Sequence, residues 1–248
     1  MVCVELDRLR CRSSHTPHAN AGTAVGSGES IRSRAGTQAQ NARSRRWEQH
    51  GASATASAGM DQAIHLRGES FVLRRWRADD LDALVRHAND PLVPRGLSER
   101  FPHPYTRADG EAFLAGRVVD LRDPVLAIEI DGRACGTIAV RPGQGERRYS
   151  AELGYWIGRT YWGRGWMTRI VGTYVAWAMQ TRPLYRVQAT VLDRNPASAT
   201  VLLRNGFVEE GVSRCALLKP DGLHDLRVFA RVNPPVAVGV PVCTSAPA

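Results

Sequence analysis

The sequence predicts an α/β fold, a mixed sheet of about seven strands with helices on its faces, occupying residues 60–233 of 248. Three observations predict it. Apolar runs of strand length alternate with segments whose apolar residues recur at helical spacing, in the order strand, two helices, three strands, helix, strand, helix, two strands. Turn residues punctuate the runs, most clearly at Asp131-Gly132 and Asn195-Pro196. The hydrophobic fraction of 43% is enough for a core, and no apolar run reaches membrane-spanning length.

Residues 71–77 read as the first strand, and Asp79-Asp80 then open a helix with acidic side chains in its positive first turn. Leu81, Leu84, Val85 and Ala88 share one face of that helix, and Pro91 and Pro94 end it. After a loop through Phe101-Pro102-His103-Pro104-Tyr105, Thr106 with Asp109 starts a second helix whose apolar side is Phe113, Leu114, Val118 and Leu121. Residues 125–130 and 134–140 form a hairpin across Asp131-Gly132, and a Gly- and Arg-rich turn leads to a third strand at 150–157. Trp166, Ile170, Tyr174 and Ala178, with Val171 and Val175 beside them, make the buried face of a long helix. Residues 186–192 are the next strand. Asn195 caps a helix with Pro196 at its first position, Gly206 stops it, and strands near 212–218 and 226–232 close the domain.

The flanks have a different texture. Residues 1–59 are mostly Ser, Ala, Gly, Thr, Gln and Arg, too poor in large apolar groups to offset ordering entropy, and are expected to be disordered. Met60 is a candidate alternative start, and residues 234–248, rich in Pro, Val and Ala, are expected to form a flexible tail. The five cysteines, Cys3, Cys11, Cys135, Cys215 and Cys243, are odd in number and lack metal-ligand spacing, so they read as free thiols, with Cys135 and Cys215 as small core residues. With no basic-then-apolar leader at the start, the expected location is cytoplasmic. The net charge of +9 is almost all arginine, Lys219 being the sole lysine, which points to compositional bias rather than a patch built for nucleic acid. The Arg43-Ser44-Arg45-Arg46-Trp47 cluster leaves open an RNA-associated role for the tail.

Gly163-Arg164-Gly165 joins a strand to a helix. Such a junction exposes unpaired N–H groups and a partial positive charge, and glycine lets an anion approach the backbone. It lacks the Gly-Lys-Ser/Thr ending of a Walker A loop and the third glycine of a Rossmann fingerprint. Two glycines at a turn also serve as bare turn residues, so the loop alone defines only a candidate anion site.

Its neighbours extend the pattern. Residues 151–157, Ala-Glu-Leu-Gly-Tyr-Trp-Ile, followed by Tyr161-Trp162-Gly163-Arg164-Gly165-Trp166-Met167-Thr168, resemble the central motif of GNAT-type acetyltransferases. Asn195-Pro196-Ala197-Ser198 followed by Asn205-Gly206-Phe207 resembles that superfamily's next motif, and Phe101-Pro102-His103-Pro104-Tyr105-Thr106 with Asp109 and Phe113 is similar to the branch that acetylates N-terminal alanine or serine of ribosomal proteins. The resemblance spans roughly residues 70–232. Thr160 stands where Gln or Arg is usual and Arg169 where Glu is common, changes that leave the backbone amides in place.

The resemblance implies a mostly antiparallel sheet with a central splay and about four helices, acetyl-CoA as co-substrate, no metal, and direct attack by a primary amine. It implies CoA contacts from the backbone of Tyr155, Trp156 and Ile157, from Gly163, Arg164, Gly165, Trp166, Met167 and Thr168, and from Asn195, whose counterpart bonds the pantetheine arm. Gly154, inside a strand, suits a close backbone approach, and an N–H there that polarises the thioester carbonyl is worth ~3 kcal/mol. Glu152 shares a strand face with Gly154 and Trp156 and is a candidate general base, directly or through water; a plain surface glutamate is the alternative. His103 is a second candidate base. Ser198 matches a serine near the CoA sulfur and is a candidate proton donor to the leaving thiolate, or a helix cap. The acceptor classes are a protein N-terminus, a polyamine, an amino acid or an aminoglycoside-like drug. A non-catalytic acyl-CoA sensor is the competing class, and a monomer or homodimer without membrane contact is expected.

Overall fold

The computed structural model describes residues 2–3, 64–98, 101–121 and 124–233. Expectations for residues 4–59, for Met60 and for residues 234–248 lie outside them. The described elements are β1 (Val2–Cys3), β2 (His65–Gly68), β3 (Phe71–Arg75), α1 (Leu81–Ala88), α2 (Arg107–Leu114), β4 (Val125–Ile130), β5 (Arg133–Pro142), β6 (Ser150–Ile157), α3 (Trp166–Thr181), β7 (Arg186–Leu192), α4 (Pro196–Arg204), β8 (Val208–Lys219) and β9 (Gly222–Val232). The sheet runs β2-β3-β4-β5-β6-β7-β9-β8, with β1 paired to β6 off that path, and only the β6–β7 contact is parallel. No helix among the described residues is long and apolar enough to cross a membrane.

Eight strands in the path replace the expected seven. The extra one, β2, is a four-residue His-Leu-Arg-Gly segment without an apolar run, turned onto β3 through Glu69-Ser70 with Ser70 at φ 63°. Val2–Cys3 pairs with β6. At Asp131-Gly132 both residues have positive φ, 51° and 73°, the requirement of a tight hairpin whose twist matches its strands.

Helix starts were legible and one helix end was not. Thr106 Oγ1 accepts from the Asp109 amide at 3.2 Å while the Asp109 carboxylate accepts from the Thr106 amide at 2.8 Å, a reciprocal cap that holds the Asp109 carboxyl below its ordinary range. The helix then stops at Leu114, with Gly116 at φ 70°, so Val118 is exposed rather than part of an apolar side. Before α1, Asp80 stands in the first turn as expected and is buried. Arg74 grips its carboxylate with two 2.7 Å bonds and reaches Glu129 at 2.5 Å, all three tying α1 to β3 and β4.

Two apolar clusters flank β6. Leu153, Tyr155 and Ile157 pack with Ile170, Tyr174 and Ala178 of α3 and with Ala199 and Leu202 of α4. Trp156, on the opposite face, packs with Leu84, Ala88, Val93, Leu97 and Tyr105. Gly136 lets β5 and β6 approach, since a Cβ there would lie 2.3 Å from the Trp156 carbonyl oxygen. Cys135 is a core residue as expected, its thiol pushed up to about 12 chiefly by burial. Cys215 is not. It lies where the β8 register shifts between Ser213 and Leu217, at φ 50°, with its amide bonded to Asp225 Oδ1, and is exposed.

Candidate active site

The site begins where two parallel strands part. β6 and β7 pair at Ser150–Arg186, Ala151–Val187 and Glu152–Gln188 and no further, while β5 stays paired to β6 through Ile157. From Leu153 onward the edge of β6 parts from β7. Val2 and Cys3 lie antiparallel against it, opposite Trp156 and Tyr155. The side chains of Tyr155, Trp156 and Ile157 are at most 5% exposed, which leaves their backbones as what a ligand meets. Gly154 pairs with Ala139 without a register shift and is buried at the mouth of the splay.

The glycine loop follows. Trp162 Nε1 donates to the Ile157 carbonyl at 2.7 Å, fastening the loop to the strand end. Gly163 and Gly165 have φ of 73° and 74°, and a Cβ on either would meet nothing within 4 Å, so backbone conformation rather than space demands glycine. Gly165 is the N-cap of α3 and supplies no side-chain cap, so the first-turn N–H groups around Trp166, Met167 and Thr168 point out of the helix end. Arg164 is exposed beside them. The Met167 side chain belongs to the core, and Trp166 carries the Arg169 guanidinium 4.4 Å above its ring, with Glu69 3.7 Å from Arg169 on the far side. Asn205 Nδ2 ties the Thr168 carbonyl, at 3.0 Å, to the Val201 carbonyl, at 2.8 Å, locking the loop's helix to α4.

Asn195 caps α4: its Oδ1 accepts from the Ser198 amide at 3.2 Å. Ser198 is fully buried, and its carbonyl accepts a 3.4 Å bond from the Tyr155 hydroxyl. Glu152 sits at the closed end of the splay, its Oε2 bonded to Arg141 at 2.5 Å. A cavity of about 870 Å³ opens between the α1–α2 loop, the ends of β6 and β7 and the β8–β9 turn, lined by Phe101, His103, Trp162, Leu192, Asn195 and His224 among others. It joins Asn195 and Trp162 of the loop region to His103 of the proline-rich segment. Glu152 and Ser198 do not line it.

Residues that sequence reasoning missed form the cavity's other wall. His224 of β9 is buried. Its Nε2 is 3.0 Å from Asp221 Oδ1 and 2.9 Å from Arg194 Nη2, and its Nδ1 is 3.4 Å from Asp193 Oδ1. Arg194 also bonds Asp221, and the two partners, Arg194 foremost, hold the Asp221 carboxyl at about 2. Lys219 Nζ donates to the Leu97 carbonyl, joining the β8–β9 turn to the α1–α2 loop.

An open α/β sheet with a parallel splay, a helix start without a side-chain cap at its mouth and a polar cavity beyond defines an acyl-CoA-binding acyltransferase fold. The chain belongs to the acetyltransferase (GNAT) domain family, whose profile matches residues 70–208. It is similar to the [ribosomal protein uS5]-alanine N-acetyltransferase of Escherichia coli (strain K12), 30% identical over 169 residues covering 64% of this chain and 82% of that protein. It is also similar to the ribosomal-protein-serine acetyltransferase of the same strain, 31% identical over 83 residues, which cover 34% of this chain and 46% of that protein. Against other curated relatives, such as the N-acetyltransferase YoaA of Bacillus subtilis (strain 168), the matched part spans only 50% of the relative. The fold matches Mycobacterium smegmatis RimJ, solved in complex with CoA-disulfide, at a TM-score of 0.61 and 23% identity over 68% of this chain and 86% of that one.

Proposed function

We propose that the chain moves the acetyl group of acetyl-CoA onto a primary amine by direct attack, with a protein N-terminus as acceptor. The observation that carries this reading is the end of β6–β7 pairing at Glu152 and Gln188, beyond which the β6 edge leading to the glycine loop parts from β7. An edge of N–H and C=O groups suits the amides of a pantetheine arm, which pair with it as a strand does. The uncapped start of α3, with Arg164 beside it, suits the pyrophosphate. The thioester supplies the activated acyl carbon. There the amine nitrogen forms its bond, the carbon–sulfur bond breaks, and the amine loses a proton while the thiolate gains one. Glu152 and Ser198 are the groups the family resemblance offers for those transfers.

Both are engaged otherwise, Glu152 by Arg141 and Ser198 by burial, and this favours a second reading as a non-catalytic acyl-CoA sensor. The acceptor class rests on the cavity's charge: Arg95, Arg194 and Lys219 face one carboxylate, Asp221. Such a lining repels a polyamine and suits an uncharged amine end attached to neutral or acidic groups. The names of the Escherichia coli relatives, which act on ribosomal-protein alanine and serine, support a peptide end.

The test is thiol release from acetyl-CoA with peptides beginning in alanine or serine, with spermidine and with free amino acids. Release with the peptides, and only background release with spermidine, is the expected outcome. Calorimetric binding of CoA with no release from any amine establishes the sensor instead.

A further inference from the structure

We propose that His224 takes the proton from the attacking amine, held for that task by Asp193, Asp221 and Arg194; this rests on the acetyl-transfer reading above. Three observations converge on it. His224 lines the same cavity as Asn195 and Trp162, so it borders the space an acceptor must cross to reach the splay. Its ring is buried, and a carboxylate oxygen of Asp193 lies 3.4 Å from Nδ1, where an orienting acid stands beside a histidine base. Most telling is Nε2, which has a donor, Arg194 Nη2, at 2.9 Å and an acceptor, Asp221 Oδ1, at 3.0 Å.

That double partnership solves the difficulty of a buried base. A neutral imidazole leaves an Nε2 lone pair that Arg194 satisfies; an imidazolium has an Nε2–H that Asp221 accepts. The ring gains or loses a proton without leaving a buried polar atom unpaired, which otherwise costs about 1–3 kcal/mol. Other charges reach the cavity from every side, Arg95 from the α1–α2 loop and Lys219 from β8, while Asp225, the next residue on β9, is bonded to the Cys215 amide. In the step itself the amine nitrogen bonds the acyl carbon, its N–H bond breaks, and the proton passes to Nε2, directly or through one water, as the Arg194 hydrogen bond to that lone pair gives way. The C–S pair leaves on sulfur, and the proton on Nε2 departs to solvent through the cavity, so charge and atoms balance.

His224→Gln keeps a polar side chain of similar reach and removes the proton cycle. In the full chain, with acetyl-CoA and a peptide beginning in alanine, it is expected to lower kcat roughly 100-fold at neutral pH. The deficit should shrink as pH rises and the free amine deprotonates unaided, with the Kd for CoA unchanged. A kcat within threefold of the parent, or a loss equal at every pH, overturns the assignment. Asp193→Asn, which leaves the ring in place, provides a second variant if the first does not fold: it should lower kcat with the same pH signature, and an unaltered kcat counts against the proposal. Imidazole nitrogen resonances of the ¹⁵N-histidine-labelled protein provide a readout independent of turnover. The peptide, added to the CoA-bound protein, is expected to shift the His224 Nε2 signal. If no amine releases thiol, the acetyl-transfer reading falls, and this shift still decides whether His224 meets the amine, its absence refuting the proposal.

Discussion

At Gly163 and Gly165 the backbone conformation and the chemistry ask for the same residue. Both sit near φ +73°, where an L side chain costs roughly 1–2 kcal/mol, yet neither is crowded. Valine at Gly165 is therefore expected to lower stability by about that amount, visible as a few degrees in Tm, while leaving the sheet intact. Its larger effect should be on CoA affinity, a loss of at least tenfold by calorimetry, because a branched side chain tilts the N–H groups at the start of α3. Unchanged affinity would falsify the loop assignment. The loop was legible because glycine at a strand–helix junction has few physical uses and its neighbours narrowed them. His224 was illegible for the opposite reason. Asp193, Arg194 and Asp221 come to it only through the antiparallel β7–β9 pairing and the turn before Gly222, and nothing local in the sequence announces that meeting. Asp80 shows the same limit: its place at a helix start was legible, while its partner, Arg74, is reached by the chain folding back on itself.

At the scale of elements, α1 seats the loop that precedes Gly163, and it does so through a titratable ring. His87 packs edge-on to Tyr161 at 5.7 Å, and Gly158 lies so close that a Cβ there would come within 2.5 Å of the imidazole. Burial, with the nearby Arg86 charge second, lowers the His87 pKa, so the folded ring stays neutral at pH values where the unfolded chain has begun to bind a proton. The unfolded state then carries more protons than the native state, and stability rises with pH. The contribution is complete above the ordinary histidine value of about 6.5 and is lost as pH falls through the window beneath it. Melting curves between pH 7.5 and 5 should show Tm falling more steeply for the parent than for His87→Gln, and equal slopes would refute the assignment. The hydrophobic period found α1, and the turn chemistry found the β4–β5 hairpin. Neither reveals which helix face docks on which loop, because docking is decided by partners far away in the chain.

Across the whole molecule, the acceptor side is built from segments that the sequence separates most widely. The α1–α2 loop and the β8–β9 turn meet over the cavity, and the side chain of Lys219 reaches the carbonyl of Leu97, 122 residues earlier. The sheet order explains why this meeting happens at the splay. The β6–β7 contact is the one parallel pairing, so the strand ends diverge there, and β9 brings the hairpin tip alongside the end of β7. In the proposed function, donor and acceptor recognition thereby fall on different parts of the fold: the glycine loop between β6 and α3 takes the donor, and the later hairpin walls the acceptor cavity. Lys219→Met, which keeps the aliphatic length and removes the charged bond, should separate the two. It is expected to raise KM for a peptide acceptor roughly several-fold, while the Kd for CoA stays unchanged. As Lys219 is the sole lysine, reductive methylation with a ¹³C label gives one lysine signal to follow. In the native protein that signal should shift when peptide is added to the CoA-bound form. If Lys219→Met instead weakens CoA binding and leaves the acceptor KM untouched, the hairpin serves the donor and the division of labour is wrong.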